Sequence, residues 1–310
     1  MENILKKESI LYGTGHILSR LVSFLLLPIF TNLLTPYDYG IISLIYAFIG
    51  FFAVVLHLGL DASLLRHYKP ANDKNRIQFV TNTYLPILCV NCMFLCLCIF
   101  CGNFLSSYLM GGEFSLLFIM VVLILFFDVL WSIPMILLRA DNKPIQFIIF
   151  NLINVVSNIV FIYCFVIYSH WQVFGVIISN LLSSSLLFVI TFYIIVKKIS
   201  ISTIDFIVFK KIFKFGFPFI FAGVFSMIIE LSDRYIIKYL LGFDSLGIYN
   251  AGYKLGMLML LIVMGFNMAW QPFFLDKKNK DNKTLISYIS NNVFLLFSFM
   301  ACGIILFVDP

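Results

Sequence analysis

Glu230, Asp233, Arg234 and Lys238 fall within nine positions of an otherwise apolar stretch, IIELSDRYIIKYLLGF at 228–243. On a helix the i, i+4, i+8 spacing puts Glu230, Arg234 and Lys238 on one face, with Asp233 beside it. A guanidinium and an ammonium so placed bind phosphate oxygens, and the neighbouring carboxylates orient them. Glu230 four residues ahead of Arg234 is the favourable order for a helical ion pair. The alternative is that Arg234 and Lys238 stretch their heads to a membrane surface. Arg20 adds a second cation within an apolar run, four residues after His16 on the same face, and Lys254 a third. The candidate substrate-binding residues are therefore Arg20, His16, Arg234, Lys238 and Lys254, supported by the acids Asp128, Glu230 and Asp233. Arg20 paired with Asp128 as buried structural glue is the competing assignment for those two.

No cofactor or metal is expected. Five of the seven cysteines cluster in CVNCMFLCLCIFC at 89–101, and Cys89-x-x-Cys92 has metal-ligand spacing. No second ligand pair or nearby histidine completes a tetrahedral site, so these residues read as small apolar side chains.

The elements that must hold these groups are membrane helices. The 310 residues are 62% hydrophobic and 12% charged, with mean hydropathy +1.02. A soluble domain carries about twice that charge. Continuous apolar runs predict about nine spans, near 10–34, 39–60, 80–101, 115–138, 145–168, 173–196, 213–240, 246–275 and 285–308. They are too long and unbroken for barrel strands. No cleavable leader is expected, because the run beginning near Ile10 is too long for a signal core.

Lysines and arginines fall before the first span and after the second, fourth, sixth and eighth; the other connections hold none. That asymmetry predicts a multi-pass protein of the plasma membrane (the inner membrane of a two-membrane envelope) with a cytoplasmic N-terminus. It also accounts for most of the net charge of +6 without any nucleic-acid partner. NLLTPYDYGIISLIYAF at 32–48 aligns with YLLGFDSLGIYNAGYKL at 239–255 at a constant offset of 207, matching Gly40 to Gly247 and Tyr46 to Tyr253. The copies are six spans apart and so share an orientation, which predicts a parallel repeat. The organisation expected is a six-span lobe over 1–200 and the first three spans of an incomplete second lobe over 201–310.

GTGHILSRLVSFLLLPIFTNLLTPYDYGIISL at 13–44, GFPFIFAGVFSMIIELSDRYIIKYLLGFDSLGIYNAGYKLG at 216–256 and AWQPFF at 269–274 resemble Wzx-type polysaccharide flippases. These belong to the multidrug/oligosaccharidyl-lipid/polysaccharide exporter superfamily, and the resemblance covers nearly the whole chain. It implies an all-α, MATE-like, two-lobe bundle that moves polyprenyl-pyrophosphate-linked oligosaccharide from the cytoplasmic to the outer leaflet, for O-antigen (lipopolysaccharide), capsule or another exopolysaccharide. Partners implied are the undecaprenyl-pyrophosphate-type lipid-linked oligosaccharide, membrane lipids, and a polysaccharide polymerase with chain-length proteins. A MATE-type cation-coupled drug exporter is the alternative transporter, disfavoured by a first lobe with Asp128 as its only mid-span acid. An integral-membrane polymerase or acyltransferase is the enzymatic alternative. The stretch at 102–115 offers it one acid and no base, and no H-E-x-x-H, P-loop or G-x-S-x-G occurs. The protein is expected not to be an enzyme.

Overall fold

The computed structural model describes residues 27–68, 72–100, 102, 115–275 and 283–307. The described residues are almost entirely helical and include no strand. This is the all-α membrane bundle that the apolar runs predict, because a helix satisfies its own backbone where no water can. Six helices among them are long and apolar enough to cross a bilayer.

After α1 (Leu27–Leu33), α2 (Pro36–Leu56) begins at a capping box. The Asp38 amide donates to Thr35 Oγ1 at 3.2 Å, and the Thr35 amide donates to the Asp38 carboxylate at 3.3 Å. Pro36 at the first helical position costs no hydrogen bond. The chain then breaks at Leu58 and Gly59, whose φ angles of 54° and 63° no helix contains, and resumes as α3 (Leu60–Tyr68). There follow α4 (Asp73–Phe100), α5 (Ser115–Ala140) and α6 (Pro144–Ile162), the last widening into a π-helical turn at Tyr163–Tyr168. Next come α7 (Gln172–Val196), α8 (Phe206–Leu275) and α9 (Lys283–Phe307).

Residues 27–251 belong to one compact unit, and 252–307 to a second. In the first unit α5 is the core. Phe118, Ile124, Leu125, Leu130, Ile133 and Leu137 have no exposed surface. The helix packs mainly on α7, then on α4 and α2. The buried face of α7 sets small residues, Gly175, Ser179, Ser183, Ser184 and Thr191, among Val176, Ile177, Leu187 and Ile195. Its hydroxyls return their protons to their own helix, Ser179 to Gly175 O at 2.6 Å and Thr191 to Leu187 O at 2.7 Å. On α6, Ile145, Ile149, Leu152, Val156 and Val160 form an exposed stripe at helical spacing, the face a lipid would cover. Cys89, Cys92 and Cys96 are likewise exposed on α4, while Cys98 is buried. In the second unit, α9 exposes Tyr288, Phe294, Leu295, Leu296 and Phe299.

The spans expected at 213–240 and 246–275 differ from the structure at their edges. The helix starts at Phe206, because the lysine-bearing segment from Phe206 continues the same turns, and only Gly242 departs from helical angles, with φ 84°. The chain nonetheless reverses there. Sixteen residues of straight helix would separate Asp233 from Tyr249 by about 24 Å. Yet the Tyr249 hydroxyl donates to the Asp233 carboxylate.

The arm of α8 before Gly242 runs antiparallel to α2 along a seam of glycines. A β-carbon on Gly223 would lie 2.5 Å from Val54 Cγ1, one on Gly50 3.5 Å from Leu231 Cδ1, and one on Gly216 2.6 Å from the Gly59 main-chain oxygen. Beyond the reversal, one on Gly40 would lie 2.1 Å from Phe243 O, and one on Gly247 1.9 Å from Pro36 O. The repeat offset of 207 turns residue 36 into 243 and 40 into 247. The two contacts are therefore the same contact, seen once from each copy.

At the other end of the bundle Asp141, after α5, ties α3 to α7. Lys198 Nζ forms an ion pair with Asp141 and donates to Tyr68 Oη at 2.6 Å, while Tyr68 donates to Asp141 Oδ1 at 2.8 Å. Burial works against the Lys198 charge, but the hydrogen bonds to Asp141 and Tyr68 outweigh it and hold its pKa above the ordinary lysine value. The linker into α8 is pinned to α4. Asn82 Nδ2 donates to Thr203 O at 3.0 Å, and Gln78 Nε2 to Asp205 Oδ2 at 3.3 Å.

Candidate functional site

Two polar clusters stand within the apolar helices. The first is built on α8 around the Gly242 reversal. Arg234 is 9% exposed, and its Nη1 donates to the Glu230 main-chain oxygen at 3.3 Å. The expected Glu230–Arg234 ion pair is thus replaced by a bond to the backbone, with the Glu230 side chain exposed. Asp233 takes the supporting role. It accepts from Tyr249 across the reversal and from the Arg234 amide at 2.7 Å. Lys238 lies with Nζ 5.5 Å from the Phe243 ring centroid, and Phe243 meets Tyr37 edge to face at 5.2 Å. Lys238 is therefore held at the reversal, whereas Arg234 lies eight residues from Gly242, about 12 Å down the helix.

The second cluster lies among α2, α5 and α7. Asp128 accepts from Trp131 Nε1 at 2.9 Å. Asn180 Nδ2 donates to Tyr46 Oη at 3.1 Å, and the Ser184 hydroxyl to Asn180 Oδ1 at 3.3 Å. His57, at the end of α2, lies 2.6 Å from Ser132 Oγ on α5. Sequence reasoning found Asp128 by its charge but missed His57, Tyr46, Asn180 and Ser184. The run SNLLSSS at 179–185, five polar residues in seven at mid-span, was the visible signal for Asn180 and Ser184.

The structure thus gathers Glu230, Asp233, Arg234 and Lys238 and puts Asp128 in a separate cluster. Lys254 is half-buried on α8, in the second unit. His16 and Arg20 lie outside the described residues, and with them the proposed Arg20–Asp128 pairing. The described residues hold no group of three or more histidine, cysteine or acidic side chains able to bind a metal.

The family model described as "Polysaccharide biosynthesis protein" matches residues 5–278. "Lsg locus putative protein 1" of Haemophilus influenzae (strain ATCC 51907 / DSM 11121 / KW20 / Rd) is 22% identical over 302 residues, covering 95% of this chain and 71% of that protein. Among solved structures, the outward-facing conformation of a multidrug resistance MATE family transporter of the MOP superfamily aligns with TM-score 0.66 at 15% identity, over 85% of this chain and 63% of that one. A MOP superfamily transporter from Pyrococcus furiosus aligns with TM-score 0.65 at 14% identity, over 86% and 62%. The MATE multidrug transporter DinF-BH gives 0.68 at 13%, over 88% and 65%. The chain therefore spans less than two thirds of each of these three structures, and at such identity they share its fold.

Proposed function

The chain belongs to the polysaccharide biosynthesis protein family, and from that we propose that it is part of a flippase for an anionic lipid-linked oligosaccharide. In this reading it is a transporter and not an enzyme. Its substrate is a polyprenyl-pyrophosphate sugar carried from the cytoplasmic to the outer leaflet of the plasma membrane, and a polysaccharide polymerase with chain-length proteins acts downstream. The observation that carries the reading is Arg234: a guanidinium 9% exposed within an apolar span, with Asp233 and Lys238 close by. A charge at that depth is costly and is kept where it has a partner or a cargo. Pyrophosphate is a cargo whose oxygens fit a guanidinium fork.

Orientation is tested by labelling. In a protein freed of native cysteines, Ser169→Cys should react with an impermeant thiol reagent on intact cells and Asn75→Cys should not. The reverse pattern inverts the topology. Function is tested by deletion. Cells lacking the protein should accumulate the lipid-linked oligosaccharide on the inner leaflet, with no change in efflux of a cationic dye. Altered dye efflux with normal lipid turnover would point to drug export instead.

A further inference from the structure

Hydrogen bonds cross the middle of the first unit from helix to helix. Asn158 Nδ2 on α6 donates to Ser183 Oγ on α7 at 3.1 Å, and Ser183 gives its own proton to Asn180 O at 2.9 Å. Asn180 Nδ2 then donates to Tyr46 Oη on α2 at 3.1 Å. Tyr46 is ten residues from either end of α2, and Asn180 at least eight from either end of α7. Asn158 is at least ten from the ends of the Pro144–Tyr168 span. At about 1.5 Å per residue the whole row lies 12 Å or more inside its helices.

The row is not sealed. Tyr46 is surrounded by protein, yet 41% of its surface is accessible. A side chain meets both conditions at the wall of a hollow. The row also keeps hydrogen-bonding capacity that no described residue uses. The Tyr46 hydroxyl accepts from Asn180 but its own proton has no acceptor, and Asn158 Oδ1 has no donor. Asn154, one turn before Asn158 on the same face of α6, is half-buried, and its amide forms no hydrogen bond among the described residues. Turned to hydrocarbon, such groups would be a pure cost. Trp131 on α5 is half-buried too. Its N–H is taken by Asp128, which acts electrostatically on Tyr46, so a ligand meets the indole ring.

The unused capacity is neutral and includes both donors and acceptors. Over α2, α5, α6 and α7 the only lysine or arginine is Arg139, at the end of α5, so an anion finds no partner at this depth. A cation would be served by one carboxylate, to which Trp131 already donates. A sugar hydroxyl both donates and accepts, and the C–H face of a pyranose packs on an aromatic ring.

We propose that this hollow, walled by Tyr46, Trp131, Asn154, Asn158, Asn180 and Ser183, is a subsite for the uncharged part of a glycan. It is separate from the cations of α8, which take the pyrophosphate. The proposal rests on the flippase reading, which supplies a glycan joined to a diphosphate, and adds a division of labour to it. Neutral groups of the first unit read which sugar is carried, while Arg234 reads the phosphate that all such lipids share.

Trp131 supplies the readout. With Trp171→Phe and Trp270→Phe it is the one indole left in the purified full chain. The probe is the free glycan released by mild acid from the lipid-linked oligosaccharide that accumulates in cells lacking the protein. It should change the Trp131 emission and saturate, and inorganic pyrophosphate should not. Tyr46→Phe and Asn158→Ala should each weaken the glycan's effect about tenfold, the size of one lost hydrogen bond. Asn154→Ala should do the same, and its amide ties no other part of the fold, so it decides alone if the other two variants melt early. If no lipid-linked oligosaccharide accumulates, the flippase reading falls and the subsite with it. If it accumulates but its glycan leaves Trp131 unchanged, or acts equally on parent and variants, the subsite alone falls. A Trp131 response to tetraphenylphosphonium or pyrophosphate in place of the glycan also overturns it, in favour of a cation or an anion site.

Discussion

Gly247→Ala should lower export at least tenfold and reduce the melting temperature of the purified protein. The added β-carbon would sit 1.9 Å from the Pro36 oxygen, 2.8 Å from its carbonyl carbon and 3.1 Å from the Gly40 nitrogen. All three are main-chain atoms of a capped helix, so no side chain can swing away and the two helices must part. Overpacking of this kind costs about 1–3 kcal/mol, and about 1.4 kcal/mol is already tenfold in an equilibrium. Gly40→Ala should do similar damage through Phe243 O, where the built atom lies 2.1 Å away. The double variant should be less harmful than the sum, since helices parted for one methyl have room for the other. Gly252→Ala is the control, because a β-carbon there meets nothing within 4 Å. Melting curves and export indistinguishable from the parent for both Gly40→Ala and Gly247→Ala would mean the contact is not formed.

Arg234→Ala is expected to cut export ten- to a hundredfold while leaving the protein inserted and abundant. That is the size of one lost charge-assisted contact, about 1.5–3 kcal/mol. Arg234→Lys should be milder, keeping the charge but losing the planar fork. A purely structural Arg234 gives a different pattern. Its removal would empty a buried position hydrogen-bonded to the Glu230 carbonyl, so abundance would fall together with export. Export and membrane abundance of Arg234→Ala and Arg234→Lys separate the two accounts. Normal export from abundant Arg234→Ala would end the phosphate-binding role.

Depth was legible in the sequence because hydrocarbon tolerates so few departures from apolar. The runs at 115–138 and 173–196 lie within two residues of the helix starts and within two of their ends. What composition cannot register is a bend between apolar segments. The break at Leu58–Gly59 is written in residues as greasy as their neighbours, so α3 and its anchoring of the Ile212 carbonyl through Ser63 Oγ at 2.9 Å were invisible. The same asymmetry governs the sites. Arg234 and Asp233 stand out because a charge in a span needs a reason. Tyr46, Asn180 and Ser184 do not, because hydroxyls and amides are ordinary in membrane helices, and only three-dimensional packing brings them to Asp128. The ion pair expected between Glu230 and Arg234 failed for a finer reason. Spacing says which residues share a face, but packing decides which of them is covered, and here Arg234 is buried while Glu230 stays exposed.

The reciprocal glycine contact has the form that two identical subunits adopt around a two-fold axis, where residue i of one meets j of the other and j meets i. Here both halves of that interface belong to one polypeptide, joined by the six spans between them. A single gene therefore carries what amounts to a homodimer contact whose two faces are free to diverge. Because both contacts are with main-chain atoms, no substitution at 243 or 36 makes room for a bulkier residue at 40 or 247; only a shift of the helices does. The matched glycines are each answerable to the opening turn of the segment opposite.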